Sequence, residues 1–263
     1  MLYLVATPIG NLKDFSFRAV ETLNSVEYIL CEDTRTSLVL LNNYEIKKPL
    51  YSYHKFNEKE KVDKIIRDLK EGKDIALISD AGMPGISDPG NILVNECIKN
   101  NIEYTVVSGA SAFVNAFVMS GLTPPFTFIG FLPNKKIDIE NLLTPFKNIQ
   151  TNLIFYVSPH SLEKDMKNLY EIFGDRKFVA VREISKKFEE KIFGILKDGY
   201  LGLNKGEFVL ILEKPAIEIK KDIPIEEEYK ILIDGGMDKN EAIKKLAKDR
   251  NLKKNDVYKL FFN

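Results

Sequence analysis

SDAGMPGISDPG, residues 79–90, follows a short, wholly apolar run (Ile75 to Ile78) and precedes an amphipathic pattern at 92–98. An apolar run of that length reads as a strand buried on both faces of a parallel sheet. Two acids, three glycines and two prolines then crowd into one connection, more than a chain reversal needs. In open α/β sheets ligands lie just beyond the carboxyl ends of strands, which makes this segment a candidate binding loop. A Gly/Pro-rich connection without a ligand is the plain alternative.

The residues around the loop repeat the same strand-then-helix texture. Leu2–Val5, Tyr28–Cys31, Leu50–Tyr53 and Tyr104–Val107 read as strands; Ser16–Leu23 and Thr36–Leu41 read as helices. Asn57 and Glu60 have the spacing of a capping box ahead of an apolar stripe at Val62, Ile65, Ile66 and Leu69, closed by Gly72. Asp88 is placed to cap the next helix, with Pro89 at its first position. Such β-α repetition predicts a largely parallel sheet covered on both faces, over residues 1–121.

From residue 122 the texture changes. Strand patterns fall at Phe126–Phe131, Leu153–Val157, Phe178–Arg182, Lys191–Ile195 and Phe208–Leu212, with helices near 139–147 and 161–173. The 178–182 and 191–195 runs have no helix-length gap between them, which predicts an antiparallel pair. The expectation is a second, mixed α/β domain over 122–214, a Glu/Lys-rich linker at 213–222, and a helical module over 223–263. In that module Asp238 and Glu241 are spaced as a capping box, and Ala242, Ile243, Leu246 and Ala247 make an apolar stripe. From Met237 onward eight Lys/Arg face four Asp/Glu, a pattern shared by helical units lying on nucleic-acid backbone and by plain solvated lysine faces.

Composition limits the function classes. Lys plus Arg and Asp plus Glu both number 38, so the chain is no simple polybasic binder, and a nucleic-acid partner requires a local basic patch. Cys31 and Cys97 stand apart in apolar surroundings and read as reduced core thiols of a cytoplasmic protein. With only His54 and His160, a histidine-built metal site is not expected. No apolar run approaches a membrane span.

Four turns share one property, polar and small residues directly after an apolar strand: TPIGN (7–11), EDTRT (32–36), the 79–90 loop and SGASA (108–112). Parallel strands would put all four on one sheet edge, as one ligand cleft. No G-x-G-x-x-G follows the first strand and no G-x-x-x-x-G-K-[ST] occurs, which disfavours ordinary dinucleotide binding and P-loop chemistry. The G-x-S-x-G of serine hydrolases is absent as well.

MLYLVATPIGNLKDFSFRA, ILCEDTRTS, HKFNE, SDAGMPGISDPG, FIGFLP, REISKKFEE and GEFVLILE, in that order between residues 1 and 213, resemble the small-subunit ribosomal RNA cytidine 2′-O-methyltransferase family. That family lies within the tetrapyrrole methylase-like class of S-adenosylmethionine (AdoMet)-dependent enzymes. NEAIKKLAKDRNLKKNDVYKL (240–260) is similar to the helical module at the end of many members. The resemblance implies a two-domain tetrapyrrole methylase-like fold, usually a homodimer, binding AdoMet between the domains and acting on small-subunit ribosomal RNA or the 30S subunit, with no metal and no membrane. Carried over residue by residue, it implies cofactor contacts at Pro8, Ile9, Asp80, Gly82, Ser111, Ala112 and Tyr156. The chain departs from the family's usual residues at Met83, Ser108, Ala110, Val157 and Ser161.

A ribose 2′-hydroxyl is a weak nucleophile while neutral, so a base or an alkoxide-stabilising cation should stand near it. Asp33 or Glu183 are candidate proton acceptors. Arg35, Arg182 and Lys186 are candidates to bind phosphate or stabilise negative charge; a salt-bridged lattice across the domain boundary would use the same residues. Tyr51, Tyr53 and Phe56 are candidates to stack a splayed base, although core packing is the commoner fate of such residues. Two other readings stay open: a methylase acting on a small tetrapyrrole, and a protein that binds AdoMet or RNA without catalysis.

Overall fold

The computed structural model describes residues 1–216 and 223–262. Its first half alternates strand and helix: β1 (Leu2–Val5), α1 (Phe17–Ser25), β2 (Tyr28–Cys31), α2 (Thr34–Asn43), β3 (Leu50–Ser52) and α3 (Glu58–Lys70). β4 (Ile75–Ile78), α4 (Asn91–Lys99), β5 (Tyr104–Val107) and α5 (Ala112–Ser120) continue it. The strands form one parallel sheet in the order β3-β2-β4-β1-β5. All of β4 is buried: Ile75 and Leu77 join the core under α3 and α4, while Ala76 and Ile78 join the opposite core with Leu23 and Leu41. At about 1.5–3 kcal/mol per fully buried aliphatic side chain, two-sided burial is the main force on this strand.

The second sheet is mixed. It is built from β6 (Phe126–Phe131), α6 (Lys136–Leu143), β7 (Asn152–Val157), α7 (Leu162–Phe173), β8 (Lys177–Arg182), β9 (Glu190–Ile195) and β10 (Phe208–Leu212). Strand order is β6-β7-β10-β8-β9, with β6 parallel to β7 and the other pairs antiparallel, including the expected β8–β9 pair. One face packs on α6 and α7 around Phe155 and Leu210. The other face takes Ala116 and Phe117 of α5 together with Ile9 from the turn after β1. The two halves therefore share a core.

α8 (Ile225–Asp234), α9 (Lys239–Asp249) and α10 (Lys254–Phe262) close the chain around their own small core of Leu232, Ala242, Ile243, Leu246 and Val257. Arg250 Nε donates to Glu228 at 2.6 Å, neutralising a carboxylate that is almost wholly buried. Asp238 caps α9 by accepting from the Asn240 amide. Of the expected linker, residues 217–222 lie outside the described residues. No described helix is long and apolar enough to cross a membrane.

Two expected caps form differently. α4 starts at Asn91 with Gly90 as its cap residue, so Asp88 does not cap it and Pro89 precedes it. Gly90 has φ +145°, and a Cβ there would meet Leu77 Cδ2 at 3.0 Å; packing against β4 delays the helix. Asn57 precedes α3 but turns its side chain back, accepting from the His54 amide at 2.9 Å, so the Asn57–Glu60 box is not made.

Candidate active site

The turn after β1 and the loop after β4 are joined by main-chain hydrogen bonds. Thr7 N donates to Gly82 O at 2.8 Å and Gly82 N donates to Thr7 O at 3.1 Å. Thr7 Oγ1 also donates to Ser79 O at 3.1 Å, and Ser79 Oγ to Gly82 O at 3.0 Å. Gly82 has φ +78°, a conformation glycine adopts without strain, and Ile9 packs at its α-carbon. Pinned this way, residues 80–88 form one wall of a cavity of about 350 Å³, a volume in the range of small-molecule sites.

The facing wall comes from the second sheet. β7 ends at Val157, and β10, running the other way, begins at Phe208 directly beside it. Tyr156, Ser158, Glu207 and Val209 therefore reach the cavity from one sheet edge. Of the residues expected to contact a cofactor, Ile9, Asp80, Gly82, Ser111, Ala112 and Tyr156 all line it; Pro8 lines the adjoining cleft instead. Ser111 stands at the cap position of α5 and makes no cap bond with its side chain. Met83 and Val157, two of the departures, line the cavity too, while Ser161 precedes α7 and bonds Ser158.

Asp88 is the residue that sequence reasoning missed here. Burial, with Glu32 and Asp80 adding to it, pushes its carboxyl up to about 6, and no hydrogen bond holds it down among the described residues. Burial likewise raises Asp80, against one amide bond from Asp33 N at 3.3 Å. Two under-compensated carboxylates on an otherwise largely apolar cavity suit a ligand that brings positive charge. A sulfonium with an α-ammonium group, as in AdoMet, meets that requirement, and the cavity size and the apolar walls at Ile9, Ile86 and Val209 suit the rest of such a molecule.

An open cleft of about 680 Å³ adjoins this cavity and shares Ile9, Asp80, Ala81 and Glu207 with it. Asp33, Arg35 and Lys186 converge there. Asp33 caps α2 by accepting from Arg35 N at 2.8 Å and holds the guanidinium through Nε (3.1 Å) and Nη2 (2.6 Å). Those bonds keep the Asp33 carboxyl down at about 2, so it takes up a proton poorly. Lys186 Nζ donates to Glu183 Oε1 at 3.0 Å and Glu207 Oε2 at 2.9 Å. Burial, the largest influence on Lys186, favours loss of its proton, but the two carboxylates together outweigh it and keep the ammonium charged.

Arg182 and Glu183 lie behind this cleft and do not line it. Arg182, 9% exposed, pairs with Glu190 and donates to Lys205 O. Glu183 accepts from the Glu207 amide at 2.9 Å and, like Ser185, has positive φ (52° and 63°). Both brace the 183–186 loop. Glu207 lines both compartments and is not among the site residues expected from the sequence, because it precedes its strand. Its signal was the NKGE segment ahead of the apolar run at 208–212. Of the aromatics, Tyr53 is fully buried and cannot stack a base, Tyr51 packs edge-on to Tyr28, and Phe56 is 86% exposed.

The family model of the tetrapyrrole (corrin/porphyrin) methylases matches residues 1–198. A Mycoplasmopsis pulmonis (strain UAB CTIP) protein named ribosomal RNA small subunit methyltransferase I is 49% identical, covering 80% of this chain and 96% of the relative. The Bacillus subtilis (strain 168) protein of the same name is 42% identical, covering 98% of this chain and 92% of the relative. Uroporphyrin-III-C-methyltransferase from Thermus thermophilus superposes with a TM-score of 0.57 at 19% identity, over 81% of this chain and 94% of that one; this likeness concerns the fold alone.

The fit between the cleft walls is testable at Gly10. Its φ is +155°, and a Cβ would stand 2.6 Å from Lys186 Cγ and 2.7 Å from Ile184 O. Gly10→Ala should lower the unfolding free energy by about 1–3 kcal/mol in urea titrations. A change under about 0.5 kcal/mol would mean that the turn and the 183–186 loop are not held in contact.

Proposed function

This chain belongs to the tetrapyrrole methylase family, with near full-length relatives named ribosomal RNA small subunit methyltransferase I, and we propose that it methylates small-subunit ribosomal RNA with AdoMet, at the ribose 2′-hydroxyl of a cytidine. The observation that carries the reading is the pairing of compartments: an acid-lined cavity opening into a charged, solvent-open cleft. A tetrapyrrole would call for a deep pocket enclosing the macrocycle in place of that open second cleft. In this reading the units at 1–121 and 122–214 supply the two walls, and the helical module at 223–263 adds basic surface to the RNA side. The protein acts in the cytoplasm, as a homodimer for which exposed Tyr104 and Val106 on the β5 edge and Val114 and Val118 on α5 offer apolar surface.

AdoMet supplies a methyl group already activated on a sulfonium, so the residues' task is to place an oxygen in line with it. Asp80 and Asp88 attract the cationic end, and Tyr156 and Ile9 wall the cavity against water. Arg35, held in place by Asp33, binds a phosphate of the incoming strand. Lys186, fixed as an ammonium in the open cleft by Glu183 and Glu207, stabilises the alkoxide that forms as the 2′-hydroxyl loses its proton. Glu207, shared by both compartments, is the acceptor placed for that proton. Arg182 and Glu183 are positioning residues that hold Lys186 and Glu207 in register.

Labelled AdoMet offered with undermethylated small subunits, free ribosomal RNA and a tetrapyrrole precursor should mark ribose in the RNA alone. Label on none of them, or only on the tetrapyrrole, would refute the proposal. In the same assay Asp80→Ala should raise the AdoMet Kd more than tenfold, by loss of a charge partner worth over about 1.4 kcal/mol; an unchanged Kd would place the cofactor elsewhere.

Asp88 makes binding pH-dependent. Its ionised form attracts the cationic ligand and exists above about 6, so affinity is full at pH 7.5 and falls as the pH drops. At about pH 5 the loss should approach tenfold. Asp88→Asn should flatten this profile, and a profile identical to wild type would remove Asp88 from the site.

A further inference from the structure

TPIGNLK (7–13) and REISKKF (182–188) bring three lysines to one place. Close contact at Gly10 sets the turn after β1 against the 183–187 loop, and between them opens a further cleft of about 670 Å³, lined by Asn11, Lys13, Asn43, Ser185 and Lys187. It shares Gly10, Leu12 and Lys186 with the methyl-transfer cleft, so the two lie side by side. The walls are fixed: Tyr44 Oη donates to Leu12 O, and Asn11 Oδ1 accepts from Lys13 N at 3.1 Å.

Charge is distributed unequally here. Lys186 is matched by Glu183 and Glu207, whereas neither Lys13 nor Lys187 has a carboxylate within 4.0 Å among the described residues. No acidic side chain lines this cleft. In a chain of zero net charge, two exposed, uncompensated ammonium groups beside a reaction cleft form the local basic patch that a polyanion requires. Phe188, 65% exposed and with Lys187 Nζ 5.6 Å from its ring centre, adds an aromatic face at the rim. Lysines interleaved with an exposed aromatic suit a single-stranded nucleic acid better than a small anion.

We propose that this cleft holds the backbone of the RNA strand beside the nucleotide being methylated, with Lys13 and Lys187 as phosphate ligands. The inference rests on the RNA methyltransferase reading and adds the path of the strand across the protein. Phosphate contacts of this kind set register without reading sequence.

The test compares wild type with K13A/K187A and with K70A/K99A, which removes the same charge from exposed lysines at the far ends of α3 and α4. Methyl transfer to small-subunit RNA is followed as salt is varied, and AdoMet affinity is measured alongside as a check on folding. K13A/K187A should raise the KM for RNA about tenfold or more at about 0.1 M salt, and flatten the log KM against log salt slope by about 1.4, or about 0.7 per phosphate. AdoMet affinity should stay within about twofold. K70A/K99A should change neither RNA parameter appreciably. An active wild type whose K13A/K187A variant matches K70A/K99A would overturn the cleft assignment alone. A wild type inactive on RNA would overturn the enzyme reading, and the assignment with it.

Discussion

The four residues Thr7 to Gly10 carry the geometry on which everything else depends. Thr7 ties the 79–90 loop to the first sheet through two main-chain bonds and its hydroxyl. Ile9, two residues on, is buried in the core of the second sheet with Ala116, Val181 and Val209. Gly10 then lets Lys186 approach closer than any side chain would permit. One short turn thus fixes the 79–90 loop, joins the two halves and seats the Lys186 cation in the open cleft. Weakening any one contact moves both walls, because the cavity exists only as the space between them.

The electrostatics of the cleft follow its division into compartments. Carboxylates gather in the inner cavity, and burial holds two of them, Asp80 and Asp88, above their ordinary range. Beyond Ile9 cations enter: Arg35 and Lys186 stand beside Asp33 and Glu207 in the open cleft, and Lys13 and Lys187 line the neighbouring one, where no acidic side chain does. Carboxylates that accompany the first two are bonded to them, so these cations are ordered while the outer lysines remain available. Charge that sums to zero over the chain is sorted by position into an acid-lined pocket, a cleft of paired charges and an outer lysine patch.

Much of the fold could be read from apolar runs, and the reason is burial. Ile75–Ile78 and Phe208–Leu212 are covered on both faces, so no polar residue interrupts them and their limits stand out. Local caps were less legible. Asp-Pro at 88–89 has the composition of a helix start, but Leu77 packing against Gly90 moves the start to Asn91 and releases Asp88 into the cavity. Asn57 was similarly claimed by the His54 amide. Tyr53, one of the aromatics that could have stacked a base, has the commoner core fate, because the end of β3 lays it under α3 and α4. Glu207 is not legible in the sequence because it precedes a strand, and the antiparallel run of β10 brings it to the edge where β6, β7 and β8 end.

The central claim is that the 79–90 loop and the edge of the second sheet enclose the AdoMet site, with the methyl group directed toward the Asp33–Arg35–Lys186 cleft. A crystal structure of the protein with S-adenosylhomocysteine bound tests it most directly. The account predicts density in the cavity between Gly82 and Tyr156, the amino group within hydrogen-bonding distance of Asp80 or Asp88, and the sulfur facing Lys186. Density in another pocket, or a ligand whose sulfur faces away from that cleft, would contradict it.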